Sequence, residues 1–220
     1  MSQSLPLILC CLALTALAAG AAPLAGRMDG DTYVSANGEF RVRAPVLPEL
    51  GGRIEDSESV VTFQDEFGTH ISIACFEFDA LQRWEFDTRG LRDYLLYFLT
   101  DVVMENFNQR YPGSTVESAR YLPELLEGSL IGFSLLPGGS RFEGHVSVVD
   151  GTRPRVTAKR GTLLFVRHRH VYAVSTELSE RATQRLTYSQ TFEEENEQLS
   201  GRLTALAERI SFTRDKPRQP

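Results

Sequence analysis

The segment Arg167-His-Arg-His170 is where residue types come nearest to a chemical site. On one strand, residues i and i+2 share a face, so the imidazoles of His168 and His170 could meet a single metal ion. Zinc takes three or four protein ligands, so His70, His145 or a carboxylate has to converge on the same point. Arg167 and Arg169, with Lys159 and Arg160 close in sequence, oppose this because positive charge repels a cation. If the histidines occupy a turn, the shared face is lost as well. A metal-dependent hydrolase built on these two residues therefore stands behind a plainer expectation, a solvated hairpin tip.

The arginines raise a second possibility. Arg153, Arg155, Lys159, Arg160, Arg167 and Arg169 fall within seventeen residues of a chain whose net charge is -6. Paired strands could gather them into a basic patch for an anionic partner or a lipid headgroup. The competing expectation is a solvated strand face, since most surface charge binds nothing specific. Nucleophile patterns are incomplete. Gly128-Ser-Leu-Ile-Gly132 places its serine one position too early for a nucleophile elbow. Pro137-Gly-Gly-Ser140 lacks the lysine and the helix of a phosphate loop. Glu193 to Glu197 are helical carboxylates without the loop a calcium cage needs, so a capped, solvated helical turn is expected there. No catalytic set and no cofactor site is expected.

The elements that must position these residues follow from composition and periodicity. The 220 residues are 42% apolar and 24% charged, ordinary for a globular chain with a sizeable core. The acidic balance argues against a nucleic-acid partner. Residues 1–26 carry no charged side chain, and Leu5 to Ala22 is an apolar run ending in small residues. That pattern predicts a signal peptide over 1–22 and a periplasmic or secreted protein. Retained, the same run is long enough for an inner-membrane anchor. Cys75 would be the one cysteine left after cleavage, and its apolar strand predicts a buried thiol.

A hairpin is predicted over Asp31 to Pro45, with Asn37-Gly38 supplying the two positive-φ positions of a type I′ turn, and another over 59–78 around Asp65 to Gly68. Leu91, Tyr94, Leu95, Phe98, Leu99, Val102 and Phe107 recur at helical spacing, predicting a helix over 91–107 capped by Asp87 or Thr88. Strands follow over 115–122, 125–136 and 142–149, then a hairpin over 161–177. Thr191-Phe-Glu-Glu194 is a capping-box pattern that opens a helix with the stripe Leu199, Leu203, Leu206 and Ile210. Short turns between strands imply antiparallel pairing. The predicted fold is α+β, an antiparallel sheet flanked by helices in an α/β/α sandwich, over one domain at 30–213 with a frayed tail at 214–220.

The opening Tyr33-Val-Ser-Ala-Asn-Gly-Glu-Phe-Arg-Val-Arg-Ala-Pro45 resembles the start of the Mog1/PsbP-like proteins. So do Val61 to Ile73, the late hairpin with Val171-Tyr-Ala-Val, and the closing helix that runs into Ile210-Ser-Phe212. The chain departs from the group in its 137–160 stretch and its histidine-rich turn. The resemblance implies an antiparallel sheet between helices and binding or assembly work. It transfers no functional residue. Two readings join the hydrolase. One is a non-catalytic interaction or accessory domain of the bacterial envelope with a protein partner. The other is a small-molecule or lipid-binding protein with a pocket between helix 91–107 and the sheet.

Overall fold

The computed structural model describes residues 23–142, 155–184 and 187–215. In chain order these form strands β1 (Arg27–Asp29), β2 (Thr32–Val34), β3 (Phe40–Arg43), β4 (Arg53–Asp56), β5 (Val60–Gln64) and β6 (His70–Glu77). Helices α1 (Ala80–Arg89), α2 (Leu91–Tyr97) and α3 (Met104–Arg110) follow. Then come β7 (Thr115–Leu122), β8 (Ser129–Leu136), β9 (Ala158–Arg167), β10 (His170–Glu177), α4 (Glu180–Thr183), α5 (Phe192–Ala207) and β11 (Ile210–Phe212). Residues 143–149 of the expected strand with the candidate ligand His145, the basic residue Arg153 and the expected signal segment 1–22 lie outside the described residues.

Every described strand pair is antiparallel, so the fold is α+β as predicted. A seven-stranded sheet runs β4-β5-β6-β10-β9-β8-β7, and a four-stranded sheet runs β1-β2-β3-β11. Alternation along each strand gives the large sheet two apolar faces. One face, with Phe63, Ile73, Ile131, Leu163 and Tyr172, packs against α5 and the small sheet. The other, with Leu130, Leu164 and Val171, packs against α1 and α2. The small sheet beside α5 was not foreseen; its strands are three or four residues long, too short to show a period.

Two glycines let the helices approach. A Cβ at Gly132 would lie 2.6 Å from Leu99 Cδ2, and one at Gly161 would lie 2.9 Å from Leu203 Cδ1. The predicted helix at 91–107 is present, but its middle, Phe98 to Val103, widens into a π-helical segment that α3 continues to Arg110. A separate helix, α1, precedes it. Asp79 caps α1 by accepting from the Gln82 N–H, and Gly90 at φ 74 separates α1 from α2. Phe78, Phe86 and Tyr94 form a triangle of rings 5.4 to 5.5 Å apart that ties the two helices to the sheet. At α5 the capping box is formed as the sequence predicts, with Thr191 and Glu194 bonded reciprocally. At the first hairpin only Gly38 has positive φ. Asn37 instead accepts from the Glu39 N–H through its side chain, the turn chemistry open to asparagine.

Candidate binding groove and buried charges

Successive side chains on a strand point to opposite faces, and β9 sends Lys159 and Arg160 into the two cores. Lys159 is fully buried under the start of α5. Its ammonium lies 2.5 Å from Glu117 and 3.0 Å from Glu195, which is itself 2% exposed. Tyr188 donates to the second oxygen of Glu195 at 2.7 Å, and Arg181 approaches it at 3.4 Å. Glu195 therefore does not belong to a solvated turn as expected; its position on α5 aims it at the buried lysine. A bulge between Val116 and Ser118 turns Glu117 toward the same charge.

Arg160 is buried on the helical face, 3.6 Å from Glu177 and over the ring of Phe107. Glu177 also accepts from Ser140 Oγ at 2.6 Å and from the Arg141 N–H. Burial pushes the Glu177 carboxyl above its ordinary range despite these donors, and burial lowers the Arg160 guanidinium. His70, on the same face, is buried with Nδ1 unbonded. Burial, helped by the charges of Arg160 and Arg141, holds its pKa down at about 3.

The basic residues thus do not share one surface. Lys159 and Arg160 are buried on opposite sides. Arg167 pairs with Asp215 at 2.9 Å and stacks over Phe212. Arg155 and Arg169 are exposed. The histidines do not share a face either, because His168 and Arg169 are the two positive-φ residues of the turn. His168 bonds Asp215 at 2.7 Å, whereas His170 is buried and bonds the His168 carbonyl at 3.0 Å. His70 sits seven residues along β6 from Glu77, the partner of His170, a span of roughly 20 Å. Among the described residues no three metal-ligating side chains converge. Arg214 and Asp215, expected in the frayed tail, are held by Glu39 and by Arg167 with His168. Cys75 is buried, and burial raises its thiol.

The interface between the 91–107 helix and the sheet is filled by Tyr94, Leu95, Phe98 and Leu99, all 3% exposed or less. Open space lies on the other face. A groove of about 400 Å³ runs between α5 and the β5–β6 turn, walled by Phe67, Ile71, Pro45 and Leu206, with Arg202 and Arg209 along one side. Arg202 is bound to Glu180. Asp65 shapes the turn by accepting from the N–H groups of Phe67 and Thr69, which leaves Phe67 76% exposed. Leu47 and Leu50, 57% and 54% exposed, lie between Pro45 of this groove and Gly51, which lines a hollow with Asp65 and Glu66. Phe67 is therefore a bare apolar side chain on the groove wall, and Leu47 and Leu50 are two more exposed apolar side chains in the link that leaves Pro45. Sequence reading missed them because Phe67 sits in a turn and the leucines sit at either end of a single 3-10 turn, Pro48–Leu50, too short for periodicity to inform.

No family model matches the chain, and no curated protein matches it. Solved structures do. PsbP (CyanoP) from Synechocystis sp. PCC 6803 is 12% identical, with 82% of this chain and 91% of that one covered, at a TM-score of 0.46. The Ran-binding protein Mog1p of Saccharomyces cerevisiae is 10% identical, with 84% and 96% covered, also at 0.46. A Bacteroides thetaiotaomicron protein is 11% identical at a TM-score of 0.44; 88% of this chain matches it, but this chain spans only 52% of that one. Among the described residues no helix is long and apolar enough to cross a membrane.

Proposed function

We propose that this chain is a non-catalytic interaction domain, exported to the bacterial envelope, that holds a partner protein at the groove between α5 and the β5–β6 turn. The observation that carries this reading is Phe67, a large apolar side chain left 76% exposed on the wall of the groove. Isolated exposed leucines need no explanation, but an exposed aromatic ring that walls a concave surface supports an interaction site. A buried aromatic anchor is the usual centre of such an interface, and Phe67 is placed to become one. Export rests on the apolar, uncharged start of the sequence.

A photoreactive phenylalanine analogue at position 67 tests the reading. In cells it should cross-link to one partner protein, whereas the same group at Asp93, on the opposite face, should not. Equal adducts at both positions, or none at position 67, would overturn the proposal. The groove's volume also lies within the range of small-molecule sites, which supports a ligand-binding alternative on this face of the sheet. Native mass spectrometry of the purified chain separates the two: a bound small molecule displaced by Phe67→Asp favours the alternative.

A further inference from the structure

The large sheet has two edges, and they are treated differently. β4 is four residues long, and the N–H groups of Ala25 and Gly26 donate to Asp56 at its end, 2.8 and 2.7 Å away. The chain itself lies against that edge. β7 is eight residues long, and no described strand pairs with its outer side. Ser118, Ala119 and Arg120 are exposed there. An open edge offers a row of unpaired backbone groups to another strand, and proteins usually blunt it with charge. Here the acid of the strand, Glu117, is turned inward by the bulge to meet Lys159. The stretch Ser118 to Leu122 is regular and keeps its register with β8.

We infer that β7 pairs with β7 of a second copy of this chain, antiparallel about a two-fold axis through Ala119. The charges beside the edge select this occupant. A groove of about 300 Å³ separates β7 from α5 and is lined by Arg120 on one side and by Glu193 and Glu197 on the other. Among the described residues none of these three forms an ion pair. The surface therefore carries both signs side by side without a direct ion pair among the described residues, as a self-complementary interface requires. A two-fold axis normal to the sheet keeps both α5 helices on the same side. Residues opposite each other must then share a face, which limits the registers. Centring on Arg120 sets two guanidinium groups directly opposed, a destabilising arrangement. Centring on Ala119 sets each Arg120 opposite Ser118 of the other copy. Ser118 accepts from Asn196 Nδ2 at 3.5 Å, so it sits beside the acidic wall of α5. Each Arg120 then meets the glutamates of its neighbour, and alanine, the smallest side chain of the strand, lies at the axis. This interface uses a different surface from the Phe67 groove and stands or falls independently of it.

Sedimentation of the full chain tests the pairing. The wild type is expected to dimerise, and Arg120→Glu should raise the dissociation constant about tenfold or more. Adding Glu193→Arg and Glu197→Arg to that variant should restore the dimer. With Cys10→Ser and Cys11→Ser as background, Ala119→Cys should oxidise to a covalent dimer, whereas Thr115→Cys should stay monomeric under the same conditions. A wild type that remains monomeric at every concentration would overturn the inference. So would a dimer indifferent to Arg120→Glu, or cross-linking at position 115 that equals that at 119.

Discussion

Lys159 and Arg160 are neighbours on β9, and each carries a positive charge into its own side of the sheet. On the α5 side, Lys159 meets two carboxylates at 3.0 Å or less, one of them fixed further by Tyr188. On the helical side, Arg160 stands 3.6 Å from one carboxylate, which is served mainly by other donors. Taking a charge out of water is expensive, and only close, well-bonded partners offset it. The lysine is thus the hub of its cluster, whereas on the other side the hub is the acid, Glu177. The difference teaches where each face is fragile: one fails when its cation is lost, the other when its anion is lost.

Removing the hub is the strongest way to test this. Lys159→Met leaves one oxygen of buried Glu195 facing Glu117 with its near cation gone and only Arg181, 3.4 Å from the other oxygen, left, and should destabilise the fold by about 3 to 5 kcal/mol. Urea unfolding measures the loss. Adding Glu195→Leu should recover most of it, because Glu117 is partly exposed and can turn to water. Arg160→Met should have a smaller effect, about 2 to 3 kcal/mol, since Glu177 keeps Ser140 and the Arg141 N–H as donors. An Arg160 loss equal to the Lys159 loss would erase the contrast between the faces.

The sequence made the framework readable and hid this asymmetry. The 161–177 hairpin, the capping box at Thr191 and the stripe Leu199, Leu203 and Leu206 are local signals, carried by neighbouring residues and a period. α1 escaped because Leu81 and Trp84 face outward, more than half exposed, and only Phe86 marks an inner side. Lys159 and Arg160 read as part of a basic patch because charged strand residues are usually solvated. Their partners, Glu117, Glu177 and Glu195, are distant in sequence, and only strand order brings them near. The sole local hint was the apolar run that follows, Gly-Thr-Leu-Leu-Phe, which marks β9 as a central strand buried on both faces. The groove rim had no local hint at all.

Acid sharpens the comparison, because His70 and Glu177, both buried on the helical face, are shifted in opposite directions. His70 is held at about 3, below the ordinary value of 6.5. Between these limits the unfolded chain binds more protons than the folded one, so stability falls as pH drops from 6.5 toward 3. The slope from this residue is about 1.4 kcal/mol per pH unit. Glu177 acts with the opposite sign: its raised pKa makes the folded state hold a proton more tightly, so its contribution falls as pH rises above the ordinary carboxyl value. His70→Leu should flatten the acid limb over 6.5 to 3 and leave the contribution of Glu177 in place. Unfolding curves at several pH values would show this, and an unchanged acid limb would mean that His70 does not reach its buried neutral state.

The smallest expected effect asks whether the lysine needs both of its acids. Glu117 stands at the bulge with a partly exposed side chain, and Glu195 is buried and bonded by Tyr188 as well. Glu117→Gln keeps the shape and one acceptor while removing one charge, and Glu195 still neutralises Lys159. The loss should be about 1 kcal/mol, near that of a single hydrogen bond in a folded protein. Glu195→Gln, which removes the deeper charge, should cost more. If Glu117→Gln proves the costlier of the two, the bulged strand and not α5 is the principal counter-charge, and β7 is then an edge shaped first by the lysine beneath it.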